Sequence, residues 1–114
     1  MSKILIKGGT VIDGTGRDPV EDYNILISGN KIDTVGFDGS VSNATTTIDA
    51  AGLTVLPGLI DSHVHLSHVP GDRFTALPSS HSLAAYVAAK KCLNMGFTTV
   101  RDCGSYQDST LALR

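Results

Sequence analysis

The chain has 114 residues, enough for one small domain, and a formal net charge of -2. With no basic block there is no electrostatic footprint for nucleic acid. No apolar run reaches membrane-spanning length, and Met1-Ser2-Lys3 leads straight into a short strand rather than a signal peptide, so the reading is cytoplasmic, with no membrane partner.

The first 52 residues are strand-like with turn punctuation. Lys3 to Lys7 is a short β run closed by Gly8-Gly9, and Val11-Ile12 continues it before the turn Asp13-Gly14-Thr15-Gly16. The Gly14-Thr15-Gly16 spacing lacks the later glycine and the following helix of a phosphate loop, so it reads as a turn. Tyr23 to Ser28 and Lys31 to Val35 flank Gly29-Asn30, a two-residue hairpin signal with a primed turn. Thr45 to Asp49 is a further β-branched run. Residues 1–52 are therefore expected to form a small antiparallel β-unit without helix.

After Ala51-Gly52 the pattern changes. Leu53 to Ile60 is apolar on both strand faces, as in a strand buried in a parallel sheet. Ser67 to Ser80, with Pro70, Gly71 and Pro78, reads as a long loop. Ser82 is the expected N-cap of an Ala-rich helix through Met95, with Gly96 as its stop. Phe97 to Asp102 is the next strand, and Asp108 is placed to cap a second helix. Residues 53–114 thus alternate strand and helix, which implies parallel strands joined by crossovers. Cys92 and Cys103 lack metal-ligand spacing and read as buried, reduced thiols.

The chemistry is concentrated in His63-Val64-His65 at the end of the first of these strands. Residues two apart on a strand share a face, so both imidazoles leave the same side. Imidazole nitrogen is the commonest protein ligand for zinc and similar ions. His63 and His65 are accordingly the candidate metal ligands. Asp61 has the same parity; it is either a second layer that orients an imidazole or a carboxylate bonded to nearby backbone. His68 and His81 lie in the expected loop, as solvated residues or as substrate contacts. Of Arg101 and Asp102, adjacent on a strand, at most one faces inward; Asp102 reads as a structural hydrogen-bonding residue.

The run Leu56-Pro57-Gly58-Leu59-Ile60-Asp61-Ser62-His63-Val64-His65, followed by Gly96-Phe97-Thr98-Thr99-Val100-Arg101-Asp102, resembles the amidohydrolase superfamily of metal-dependent hydrolases. The similarity is greatest to its imidazolonepropionase-like and prolidase-like branch. Ile4 to Gly14 also looks like the family's opening strand and turn. The resemblance implies an α/β fold, the start of a (β/α)8 TIM barrel preceded by a segment of a small β-sandwich that draws on both chain ends. A barrel of this kind takes roughly 200 to 250 residues, so the chain reads as an N-terminal portion.

The resemblance further implies one or two divalent ions, zinc foremost, and a C–N bond of a small amide or dipeptide-like substrate. Cyclic amides, as in dihydroorotase- or hydantoinase-like enzymes, are the second substrate class. It also implies a bridging lysine, two further histidines and a catalytic aspartate on later strands. Lys90 and Lys91 lie on the expected helix and match no such position, so no catalytic acid or base is assigned here. The competing reading is a non-catalytic fragment or interaction module. Either way, self-association or a complementing chain is expected to cover the open strand edges.

Overall fold

The computed structural model describes residues 2–37, 44–69, 71 and 75–113. The expected loop residue Pro70 lies outside the described residues. The chain divides into two compact units, Met1–Pro57 and Gly58–Arg114.

The first unit is a single five-stranded sheet. Strands β1 (Lys3–Val11), β2 (Val20–Ser28), β3 (Lys31–Val35) and β4 (Thr46–Asp49) run in the order β3-β2-β1-β4, and β5 (Thr54–Val55) also pairs with β1. β1 does not stop at Gly8-Gly9. It continues to Val11 with register shifts on either side of Gly9, so the glycine pair makes an irregularity within the strand instead of an end. The β1–β2 and β2–β3 pairs are antiparallel as expected. At the hairpin, Gly29 has a φ of 61°, as the first central position of a type II′ turn requires. The expectation of a wholly antiparallel unit is corrected by β4 and β5, which both join β1 in parallel. The reason is connectivity: β1 already has β2 on one side, and the chain returns to its other edge running in the same direction. Leu5, Val11, Ile25, Leu26 and Ala50 form the core of this unit. Leu5 and Leu26 are register partners.

The turn after β1 is held by its own side chains. Asp13 Oδ1 accepts hydrogen bonds from the Thr15 N–H, at 2.9 Å, and from the Thr15 hydroxyl, at 2.6 Å, while Arg17 Nη2 bonds Asp13 Oδ2. These bonds from Thr15, then from Arg17, hold the Asp13 carboxyl far below the usual carboxylate range. A fixed carboxylate at the centre of the turn opposes a phosphate there, in agreement with the turn reading.

The second unit is a strand–helix–strand unit. β6 (Leu59–Val64) pairs in parallel with β7 (Phe97–Asp102), and helix α1 (Pro78–Asn94) connects them and packs against β7. The expected continuous strand from Leu53 to Ile60 is instead two strands in different sheets: Thr54–Val55 pairs with β1, and Pro57, which has no N–H to give a ladder, stands just before β6. The helix also begins earlier than Ser82. Pro78 occupies its first turn, Leu77 is the N-cap without a side-chain bond, and the Ser82 hydroxyl bonds back to the Pro78 carbonyl at 3.3 Å. Proline at the first helical position needs no donor there, which is why the helix can start on it. The second helix expected after Asp108 is a short 3-10 turn, Leu111–Leu113.

The buried set of this unit is small and partly polar: Leu66, Ala85, Ser67, His81 and Ser109. Among the described residues, Leu59 is 45% and Ile60 71% exposed, so the strand expected to be covered on both faces is open here. Cys92 is half-buried and Cys103 exposed, and both are free thiols; the expectation of two buried thiols is corrected accordingly. No helix among the described residues is long and apolar enough to cross a membrane.

Gly58 sets the spacing at the start of the β6–β7 pair. A Cβ added there would overlap the Thr98 side chain. Gly58→Ala is expected to destabilise the fold by about 1–3 kcal/mol through overpacking, and Thr98→Gly in the same chain to recover part of that loss. Urea unfolding of both variants checks this; a G58A protein as stable as its parent would refute the steric account.

Candidate metal centre

β6 carries Asp61, Ser62, His63 and Val64, and His65 follows directly at its carboxyl end. Strand alternation brings the two imidazoles to one side. His63 Nε2 and His65 Nε2 stand 3.3 Å apart, with the rings edge-on at 67° and their centroids 5.2 Å apart. Two nitrogens on one tetrahedral zinc, each bonded at about 2.0–2.1 Å, would be about 3.3–3.4 Å apart. The pair therefore spans the separation such an ion requires of two ligands.

The tautomer of His65 follows from its other nitrogen. Nδ1 lies 3.1 Å from the Gly104 carbonyl oxygen. A carbonyl can only accept, so Nδ1 carries a hydrogen, and in the neutral ring Nε2 then presents its lone pair toward His63. A ligand histidine oriented through its second nitrogen by a backbone carbonyl is a usual arrangement at metal sites. Sequence reasoning missed Gly104, because a main-chain carbonyl has no residue-type signal; only its position just past β7 hinted at a site role.

Asp61 does something else. Its Oδ1 accepts the main-chain N–H of His63 at 3.0 Å, so the hydrogen bond it makes is to backbone and not to an imidazole. It shapes the strand end that presents the ring. Among the described residues, no group of three or more His, Cys, Asp or Glu side chains converges to hold a metal. His63 and His65 thus fit as two members of a larger ligand set.

Beside His65 is a cavity of about 320 Å³ whose wall includes Ser67, His68, His81, Cys103 and Tyr106. His68 is exposed, in line with the loop reading. His81 is not a loop residue. It sits in the first turn of α1, is 1% exposed, and donates from Nδ1 to the Ser67 carbonyl at 2.8 Å. Its ring stacks on Tyr106 with centroids 4.4 Å apart. Its buried Nε2 has no hydrogen-bond partner. Ser67 is held from the other side as well, because its hydroxyl oxygen accepts the Tyr106 N–H at 3.0 Å. The loop after β6 is thereby tied both to the helix and to the loop after β7.

The sequence profile of the amidohydrolase family matches residues 54–114, more than half of the chain. The chain belongs to the amidohydrolase family. Over 98 residues the chain is 42% identical to a dihydroorotase of Lactococcus lactis subsp. lactis, covering 85% of its own length and 21% of that protein's. It superposes on a Xaa-Pro dipeptidase with methionine bound in the active site at a TM-score of 0.84 and 33% identity, covering 99% of this chain and 29% of that one. For an atrazine chlorohydrolase from Arthrobacter aurescens TC1 complexed with zinc, the TM-score is 0.76 and the identity 32%, over 96% of this chain and 32% of that one. The chain spans less than a third of the length of each of these proteins. Its β6-α1-β7 unit is a strand–helix–strand repeat of the family's barrel.

Proposed function

We propose that the protein is a metal-dependent amidohydrolase that cleaves a C–N bond in a small amide. The observation that carries this is the pair of Nε2 atoms 3.3 Å apart at the carboxyl end of β6, with the His65 tautomer set by Gly104. Active-site groups of β/α barrels gather at that end of the strands. A divalent ion held there supplies Lewis-acid chemistry, polarising a carbonyl oxygen and making water acidic enough to act as a nucleophile near neutral pH.

The residues of this chain hold and orient. His63 and His65 hold the ion through donors that suit zinc among other transition metals, and the similar chlorohydrolase complexed with zinc favours zinc. Gly104 keeps the His65 lone pair on its target. The cavity beside His65 takes part of the substrate, with His68 on its exposed wall as a substrate contact. Further ligands and the acid–base residue come from other strands, which would also cover Leu59 and Ile60 as part of this chain or of a complementing one.

A dipeptide-like substrate is favoured by the superposition on the Xaa-Pro dipeptidase over nearly the whole chain. The 42% identity to a dihydroorotase supports a cyclic amide as the second reading. Assay of the intact protein against dipeptides with C-terminal proline and against dihydroorotate, each with and without chelator, tests both. Turnover that stops on chelation and returns with zinc is expected for one class. An activity indifferent to chelator would overturn the proposal.

A further inference from the structure

We infer that Asp102 is a positioning residue for the metal ligand His65, acting through the main chain of Gly104. This rests on the reading of His63 and His65 as ligands and extends it to the other strand of the pair. Asp102 is the last residue of β7 and is half-buried. Its two carboxylate oxygens take separate partners: Oδ1 accepts the Gly104 N–H at 3.0 Å, and Oδ2 accepts the Ser105 hydroxyl at 2.9 Å. The Ser105 hydroxyl also lies 2.5 Å from that of Thr110, so the next turn is anchored to the same point.

The bond from Asp102 to the N–H two residues on is an Asx turn, which bends the chain sharply without help from a ladder. Gly104 is thereby held at its own amide and by its neighbour's side chain. Its carbonyl is left facing His65 Nδ1 at 3.1 Å. The same short loop donates the Tyr106 N–H to Ser67, two residues past His65, so it grips the ligand-bearing segment twice. Without the carboxylate, no other side-chain bond to the Gly104 amide remains among the described residues. The loop then has other conformations open to it, and the Gly104 carbonyl is no longer fixed toward the ring. His65 would exchange between tautomers and ring orientations, and part of its population would present N–H in place of a lone pair.

The test compares Asp102→Ala with Asp102→Asn in the intact protein. Asparagine keeps an oxygen acceptor for the Gly104 N–H and forms the same turn, whereas alanine cannot. Zinc affinity is measured by competition with a chelator of known strength, and the His65 tautomer by nitrogen NMR of the metal-free protein. D102A is expected to lose roughly 10- to 100-fold in zinc affinity, the usual size of such outer-layer effects, and to lose the pure Nδ1–H form of His65. D102N is expected to retain both. Unchanged affinity in D102A, or equal losses in D102A and D102N, would overturn the inference. If changing His63 and His65 themselves leaves zinc binding intact, the ligand reading has failed instead, and the two failures are told apart.

Discussion

Replacing His63 and His65 together by alanine is expected to remove at least one divalent ion from the intact protein and to abolish its turnover. The two Nε2 atoms are 3.3 Å apart, so one ion can use both, and loss of both leaves too few donors for a site that usually needs three protein ligands. The same variant separates binding from folding. An ion that binds only the folded state stabilises it by about 4 kcal/mol when its free concentration is 1,000 times Kd. The parent should therefore unfold at a temperature that rises with zinc, and the double variant at one that does not. Metal analysis by emission spectroscopy and melting curves at several zinc concentrations check both outcomes. Unchanged metal content and activity would remove these residues from the site.

The second large effect is expected at His81, and it concerns stability. Alanine there removes a ring with 1% exposure, its stacking on Tyr106 and the donor to the Ser67 carbonyl. Ser67 is itself only 3% exposed, so its carbonyl loses a partner in a place where water cannot readily replace it. Cavity formation and the orphaned acceptor together make a loss of about 3 kcal/mol the expected size. His81→Phe refines the account. Phenylalanine keeps a ring against Tyr106 and removes the unpartnered Nε2, while still leaving the Ser67 carbonyl without its donor. Its loss should be smaller, about 1 kcal/mol. Urea unfolding of the two variants decides; equal stabilities for H81A and the parent would show that the helix–loop tie is not a structural support.

His81 also illustrates where sequence reasoning stops. Its neighbours Pro78, Ser79, Ser80 and Ser82 are loop-like in composition, so the residue reads as exposed. The helix begins on Pro78 instead, and that turns the ring inward onto Ser67 and Tyr106. Burial of this kind depends on partners 14 and 25 residues away along the chain, which local pattern does not report. The parallel placement of β4 and β5 on β1 is a similar case, since propensity marks a strand but not its neighbour.

By itself, the amino-acid sequence determined the β-rich first half, the hairpin at Gly29-Asn30, the strand–helix–strand order of the second half, and the placing of the His63 and His65 imidazoles on one side of a strand end. Those features rest on short-range rules: strand parity, turn chemistry and the periodicity of apolar residues. The tertiary structure alone decided which groups hold the pair in place. Asp61 turned out to serve backbone, and the imidazole of His65 is oriented by the carbonyl of Gly104, 39 residues away and held by Asp102. Every residue carries a carbonyl, so its identity tells nothing. Only the pairing of β6 with β7 brings that one carbonyl to the ring.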